Sequence, residues 1–359
     1  MMLRITHNAD LTRLTTFGIY AECGCLVEYD GPDDLRQLAD EHPGLLSGEV
    51  FCLGGGSNVL FADGFYRGTV LHCAAEAIEE LPSADGTDRA ASVRLCVGAG
   101  VVLDNLVDYA AARGYWGLEN LAAIPGCVGG AAVQNVGAYG AEFSQCVELV
   151  RAFDLDRLRV VEYSADECAY GYRQSYFKTP ASPRLAIFEV VLRLSRVSNP
   201  RLGYAGVREA LGAIAPENIT PAMIAEAIRK VRSAKLPDPS EVGSAGSYFK
   251  NPVVAASELP GIEDSWKRFC DRRSVAHMPL QYHEGADGTA KLSAAWMIDK
   301  SGCKELSSGG AALWPTQPLV IVNRSGSATA ADVLALQRMV QDRVEEAFGV
   351  RLEPEVVRL

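Results

Sequence analysis

Alternation of apolar and polar residues marks several short stretches and predicts strands. The clearest runs from Leu185 to Leu194, where Phe188, Val190, Leu192 and Leu194 share one face and Glu189, Val191 and Arg193 the other. That is the pattern of a half-buried strand. Val50 to Leu60, Val93 to Val97, Leu149 to Phe153 and Val160 to Tyr163 read the same way, each bounded by Gly, Asp or Pro. Helical signals lie between and after them. One covers Val101 to Arg113 and stops at Gly114. A second follows Thr220-Pro221, a capping residue and then a proline at the first helical position. A third spans Ala330 to Phe348, entered through a capping box at Thr329 and Asp332 and closed by Gly349. The predicted class is mixed α and β. Domain boundaries are expected near 72–90, where Glu, Ser, Asp and Gly cluster, and at Lys235-Leu-Pro-Asp-Pro239, where two prolines stop a helix.

These elements need a core, and 359 residues with 48% hydrophobic and 22% charged side chains supply one, enough for two or three domains. Lys and Arg number 34 against 45 Asp and Glu, a formal charge of −11. That balance disfavours a nucleic-acid backbone or an anionic bilayer as partner. A small ligand is the better expectation, and an anionic one requires local Lys, Arg and backbone N–H donors. Apolar runs such as Leu319 to Val322 are far shorter than the roughly 18 residues of a membrane span. The first residues carry no basic stretch followed by an apolar block, so a cytoplasmic protein is expected. The ten cysteines lack CxxC pairs and read as buried free thiols. The five histidines form neither HExxH nor a cluster with cysteine, so no metal site is expected.

Two glycine-rich segments are candidates for chemistry. Gly54, Gly55 and Gly56, followed by Ser57 and Asn58, stand at an expected strand end. Consecutive glycines let backbone N–H groups converge on a pyrophosphate, although a tight hairpin turn explains the same residues. Neither a Walker loop nor a Rossmann fingerprint is present. The second segment, from Gly117 to Gly140, contains Ile124, Pro125, Gly126, Gly129, Gly130, Val133, Gly137 and Tyr139 and almost no charge. Such a stretch is not expected to be helical; it suits a flat ligand packed on its backbone, or a buried loop. Together the two favour a dinucleotide with a planar ring.

Polar candidates follow: Tyr170 to Lys178 with Arg173, Arg232 to Lys235, and Gly243 to Pro252 with Ser247 and Asn251, each equally readable as surface. The string Ser-Tyr-Phe-Lys occurs at both Ser175 and Ser247 and matches the SxxK of penicillin-binding acyl transferases. The partner motifs Ser-Asp-Asn and Lys-Thr-Gly are absent, which rejects that chemistry. At the C-terminus Glu353 and Glu355 flank Pro354, in a tail that by itself reads as solvated.

In combination these segments resemble the flavin-dependent UDP-N-acetylenolpyruvoylglucosamine reductases over nearly the whole chain. The resemblance runs from Thr16-Phe17-Gly18 through GGGSNVL, IPGCVGG, QNVGAYG, YGYRQSYFK, KLPDP and GSAGSYFKNP, past the helix at Trp296 and GGAA at 309–312, to LEPE. Arg201 to Tyr204 is similar to the type that closes a tyrosine-bearing loop over substrate. The resemblance implies a vanillyl-alcohol-oxidase-like, PCMH-type FAD-binding fold in two domains, 1–75 and 76–232, plus a third α+β substrate-binding domain, 233–359, whose last residues pack back on the first part. It implies noncovalent FAD, since no histidine lies in either glycine-rich loop, with NADPH as hydride donor and UDP-N-acetylglucosamine enolpyruvate as substrate. A single chain is the expected assembly. A related FAD-dependent oxidase or dehydrogenase is the alternative.

The resemblance also assigns roles. Ser247 corresponds to the proton donor, and Arg173 and Glu355 to the groups that polarise the enolpyruvyl carboxylate. Tyr139, Tyr204, Lys235, Asn251, Tyr282, Lys304 and Gln317 match positions that grip the nucleotide and sugar. FAD is implied along Gly54 to Asn58, Ile124 to Gly137, Ile187 and Arg232. Gly130-Ala131 departs from relatives that carry serines there, which removes one hydroxyl from the flavin phosphates.

Overall fold

The computed structural model describes residues 3–82, 91–285 and 287–359. Its contacts divide the chain into two compact units. The first comprises Met1–Ala9, Cys23–Gly55 and Tyr66–Ala234; the second comprises Asp10–Glu22, Gly56–Phe65 and Lys235–Leu359. The chain thus leaves the first unit for the second three times, between Ala9 and Asp10, between Gly55 and Gly56, and between Ala234 and Lys235. Part of the boundary expected at 72–90 falls on 83–90, outside the described residues.

The first unit is built on two sheets. Strands Arg4–Asp10, Glu22–Tyr29, Phe65–Cys73 and Val50–Leu53 lie side by side in that order, the last two parallel. The second sheet orders Arg159–Ser164, Val147–Asp154, Leu185–Ser195, Ser92–Gly98 and Ile78–Leu81, all antiparallel. Leu185–Ser195 is its central strand. The expected inward residues Phe188, Val190, Leu192 and Leu194 are buried, but so are Ile187 and Val191 on the other face. The strand is therefore covered on both sides, a packing that alternation alone does not reveal. Helices Leu103–Ala112 and Pro221–Ser233 add their apolar faces to the same core through Leu106, Val107, Ile224 and Ile228. The Thr220 hydroxyl caps the second, accepting from the Met223 N–H.

Two expectations are corrected here. Val50 to Leu60 is not one strand, because Gly54 to Asn58 turn the chain and leave Val50–Leu53 and Val59–Leu60 in different sheets. The Gly117 to Gly140 segment does contain a helix, Val128–Gln134. Ala131 and Ala132 supply helix propensity, and Gly129 permits an approach to Ala99 so close that a Cβ would sit 2.9 Å from the alanine methyl.

In the second unit, strands Gly243–Ser247, Gln317–Asn323, Ala311–Trp314 and Ser307–Ser308 form one antiparallel sheet. Helix Ala330–Phe348 packs Val333, Leu336, Val340 and Val344 into its core. The Thr329–Asp332 capping box forms in both directions, and Gly349 ends the helix at φ +69°. Trp266, on helix Leu259–Arg273, stacks on Phe348 with ring centres 4.7 Å apart. A parallel two-stranded ribbon pairs Val357–Arg358 with Val59–Leu60. All ten thiols are free and nine are buried, Cys52 being exposed.

Candidate active site

The glycine-rich segments of the first unit meet backbone to backbone. A Cβ placed on Gly55 would stand 2.8 Å from the Gly126 Cα, closer than real side chains come, and 3.1 Å from the Cys127 nitrogen. On Gly54 it would meet the Cys127 sulfur at 2.8 Å. The absence of side chains is what lets 54–55 and 126–127 lie against each other, with Gly55 still exposed. Such a surface presents peptide groups rather than side-chain charge, and suits a pyrophosphate and flat ring. Ile124, Pro125, Gly130 and Val133 are half-buried along the same stretch. Ile187 stands in the central strand, its carbonyl accepting from the Tyr29 hydroxyl at 3.2 Å.

Four other expected residues lie in this unit. Tyr139, at φ +51°, meets Tyr204 edge to face with ring centres 4.9 Å apart. Arg232 lies beside the Tyr139 phenol; burial holds its guanidinium below the ordinary arginine range, with the phenol acting in the opposite direction. Burial likewise pushes the Tyr139 hydroxyl up. Arg173 adopts φ +54° and donates from Nη2 to the Gly137 carbonyl at 2.7 Å. The Arg173 guanidinium is thereby fixed to the end of the second glycine-rich segment.

Asn120 was not foreseen. It is 1% exposed, and its side-chain amide donates to the carbonyls of Tyr139 at 2.9 Å and Arg201 at 3.2 Å. The tyrosine at 139 and the stretch leading to Tyr204 are thus tied to one side chain. Nothing in the string Leu-Glu-Asn-Leu distinguishes this amide from an ordinary polar residue.

The second unit holds the remaining candidates. Ser247 ends strand Gly243–Ser247 opposite Val320 and is exposed. The tail runs along the segment that follows it. Glu355 donates its N–H to the Tyr248 carbonyl at 2.8 Å, and Lys250 donates its N–H to the Glu353 carbonyl at 2.9 Å. Asn58 donates its side-chain amide to the Glu355 carbonyl at 3.2 Å. The backbone of the tail is held in place, while the Glu353 side chain is exposed, as the solvated reading expects, and Glu355 is half-buried. The Lys235 carbonyl accepts from the Trp314 indole at 3.1 Å and the Thr316 hydroxyl at 2.7 Å, beside the start of the Gln317 strand. Asn251 accepts from the Ala294 N–H at 3.0 Å, Lys304 pairs with Asp299 at 2.6 Å, and Tyr282 is 39% exposed.

A cleft of about 380 Å³ lined by Gln145, Glu148, Asp166 and Arg193 contains none of these residues. Among the described residues no helix is long and apolar enough to cross a membrane, and no group of three or more His, Cys, Asp or Glu is arranged to hold a metal ion.

Residues 43–157 match the family described as FAD binding domain, and residues 238–359 match the C-terminal domain of UDP-N-acetylenolpyruvoylglucosamine reductase. The chain is 39% identical to the UDP-N-acetylenolpyruvoylglucosamine reductase of Chromobacterium violaceum over 99% of both proteins. It is 44% identical to that of Burkholderia ambifaria over 85% of this chain and 83% of the other. The crystal structure of the same reductase from Thermus caldophilus superposes with a TM-score of 0.65 at 25% identity, covering 100% of this chain and 99% of that one.

Proposed function

The chain belongs to the UDP-N-acetylenolpyruvoylglucosamine reductase family, and from that premise we propose how its residues share the work. It is an FAD-dependent oxidoreductase of the α+β, PCMH-type flavoprotein fold, and it reduces the enolpyruvyl ether of UDP-N-acetylglucosamine enolpyruvate to UDP-N-acetylmuramate in peptidoglycan precursor synthesis. Bound FAD, reduced by NADPH, supplies a hydride to the terminal methylene carbon of the substrate.

The peptide groups of Gly54 to Asn58 and Ile124 to Gly137 hold the flavin nucleotide, with Ile187 and Arg232. Arg173 pairs its planar guanidinium with the enolpyruvyl carboxylate, so that charge arriving next to that carboxylate meets a fixed cation. Glu355 accompanies it at the same carboxylate. Ser247 delivers a proton from Oγ to the carbon beside the carboxylate. Serine is a weak acid, but a carbanion-like centre accepts its proton when the hydroxyl is held in line. Tyr139, Tyr204, Lys235, Asn251, Tyr282, Lys304 and Gln317 bind the nucleotide and sugar. FAD belongs to 1–75 and 76–232 and substrate to 233–359. Cytoplasmic residence and action as a single chain complete the reading.

The observation that supports these roles most directly is the hydrogen bond from the Glu355 backbone N–H to the Tyr248 carbonyl, which sets the main chain of Glu355 beside the residue that follows Ser247. The test is anaerobic: NADPH should bleach the yellow protein, and the enolpyruvyl nucleotide should restore its colour. Recolouring by oxygen but not by the nucleotide would point instead to an oxidase.

A further inference from the structure

The two Ser-Tyr-Phe-Lys strings have different fates. The second carries Ser247. In the first, Ser175 is fully buried and its hydroxyl donates to the Val133 carbonyl at 2.6 Å. Residues Tyr176–Lys178 form a single tight helical turn, which places positions three apart on one side. Lys178, at the end of that turn, reaches the residue next to the one that accepts from Ser175. Its ammonium donates to the Gln134 side-chain carbonyl at 2.6 Å and to the Arg173 main-chain carbonyl at 2.9 Å.

The second of those bonds is the informative one. Arg173 has φ +54°, a left-handed conformation that costs a residue with a Cβ free energy and persists only where neighbours impose it. Three sets of contacts impose it here. Gly171 and Gln174 exchange N–H to carbonyl bonds at 3.0 and 3.1 Å across the arginine. Gly137 accepts from the guanidinium. Lys178 takes the arginine's own carbonyl, and anchors it to Gln134 at the end of helix Val128–Gln134. An ammonium suits this task, since one atom donates to two acceptors and both bonds are charge-assisted.

We propose that Lys178 is a positioning residue: it holds Arg173 in the left-handed conformation that aims the guanidinium at the substrate carboxylate, and braces it on the helix of the flavin segment. This rests on the reading of Arg173 given above.

The test uses the flavin-loaded enzyme and two nucleotides, UDP-N-acetylmuramate, which carries the carboxylate, and UDP-N-acetylglucosamine, which lacks it. In Lys178→Met, flavin content and the rate of NADPH bleaching should match the parent. Affinity for the carboxylate-bearing nucleotide, measured by calorimetry, should fall about tenfold while affinity for the other stays unchanged. Recolouring by the enolpyruvyl nucleotide should slow about 10- to 100-fold, the effect of a displaced group. Lys178→Arg should recover most of the loss, and Lys178→Met added to Arg173→Ala should cost nothing more. Equal weakening of both nucleotides, loss of flavin or of folding, or additive losses in the double variant would mark the lysine as a general brace and overturn the proposal. If Arg173→Ala itself binds both nucleotides like the parent, the reading of the arginine fails. If Arg173→Ala is defective and Lys178→Met is not, only the positioning role fails.

Discussion

The backbone N–H of Glu355 donates to the carbonyl of Tyr248 at 2.8 Å, across 107 residues of sequence. The bond sets Glu355 beside the residue that follows Ser247, and the isolated bridge between Phe249 and Pro354 continues the pairing. A main-chain bond places the carboxylate's α-carbon without engaging the carboxylate itself. The chain's last residues then lie against Val59 and Leu60, so the tail is stitched on both sides.

Ser247→Ala should separate the two halves of the reaction. Flavin content and NADPH bleaching need no proton at the substrate carbon and should be unchanged. Recolouring by the enolpyruvyl nucleotide should slow by about 10²–10⁴, the usual loss on removing a positioned general acid. Cys, which can donate from the same place, should retain more activity than Ala. Stopped-flow absorbance measures both phases, and equal slowing of the two would remove Ser247 from the role.

Asn58→Ala deletes the side-chain donor to the Glu355 carbonyl. The expected cost is about 0.5–1.5 kcal/mol of unfolding free energy, read by urea denaturation. A curve identical to the parent's would show that this bond does not hold the tail.

Gly55→Val forces a branched side chain into the space filled by the Gly126 backbone. The two glycine-rich segments should separate and release flavin, so the purified protein should be pale after gel filtration. Full retention of flavin would remove Gly55 from the cradle.

Glu119 is 3% exposed, and burial raises its carboxyl above the ordinary glutamate range despite the N–H that Gly117 donates to it at 2.6 Å. The folded state therefore holds a proton more tightly than the unfolded state. The resulting stabilisation is fully present below the unfolded value and fades as pH rises through the folded one. Glu119→Gln keeps an acceptor for Gly117 and has no proton to lose. Its melting temperature should exceed the parent's at neutral pH, and the gap should close as the pH is lowered past the glutamate range. A gap independent of pH would contradict this.

Local signals determined a good deal. Thr220-Pro221, Thr329, Asp332 and Gly349 mark their helix ends because caps act over three or four residues, and each forms as read. The glycine-rich strings and the Ser-Tyr-Phe-Lys copies identified the family, since motifs survive as strings of neighbours. What the tertiary structure alone decided involves partners distant in sequence. Alternation in Leu185–Ser195 hid the burial of Val191, because a second covering layer leaves no trace in one strand's pattern. Gly129 reads as a helix breaker until Ala99 is found where its side chain would be. Asn120 and Lys178 look like ordinary polar residues; they matter through the Tyr139, Arg201 and Arg173 carbonyls, which only folding brings within hydrogen-bond reach. Hydrogen bonds to main-chain carbonyls demand position rather than residue type from the acceptor, so the sequence of the acceptor carries no mark of them.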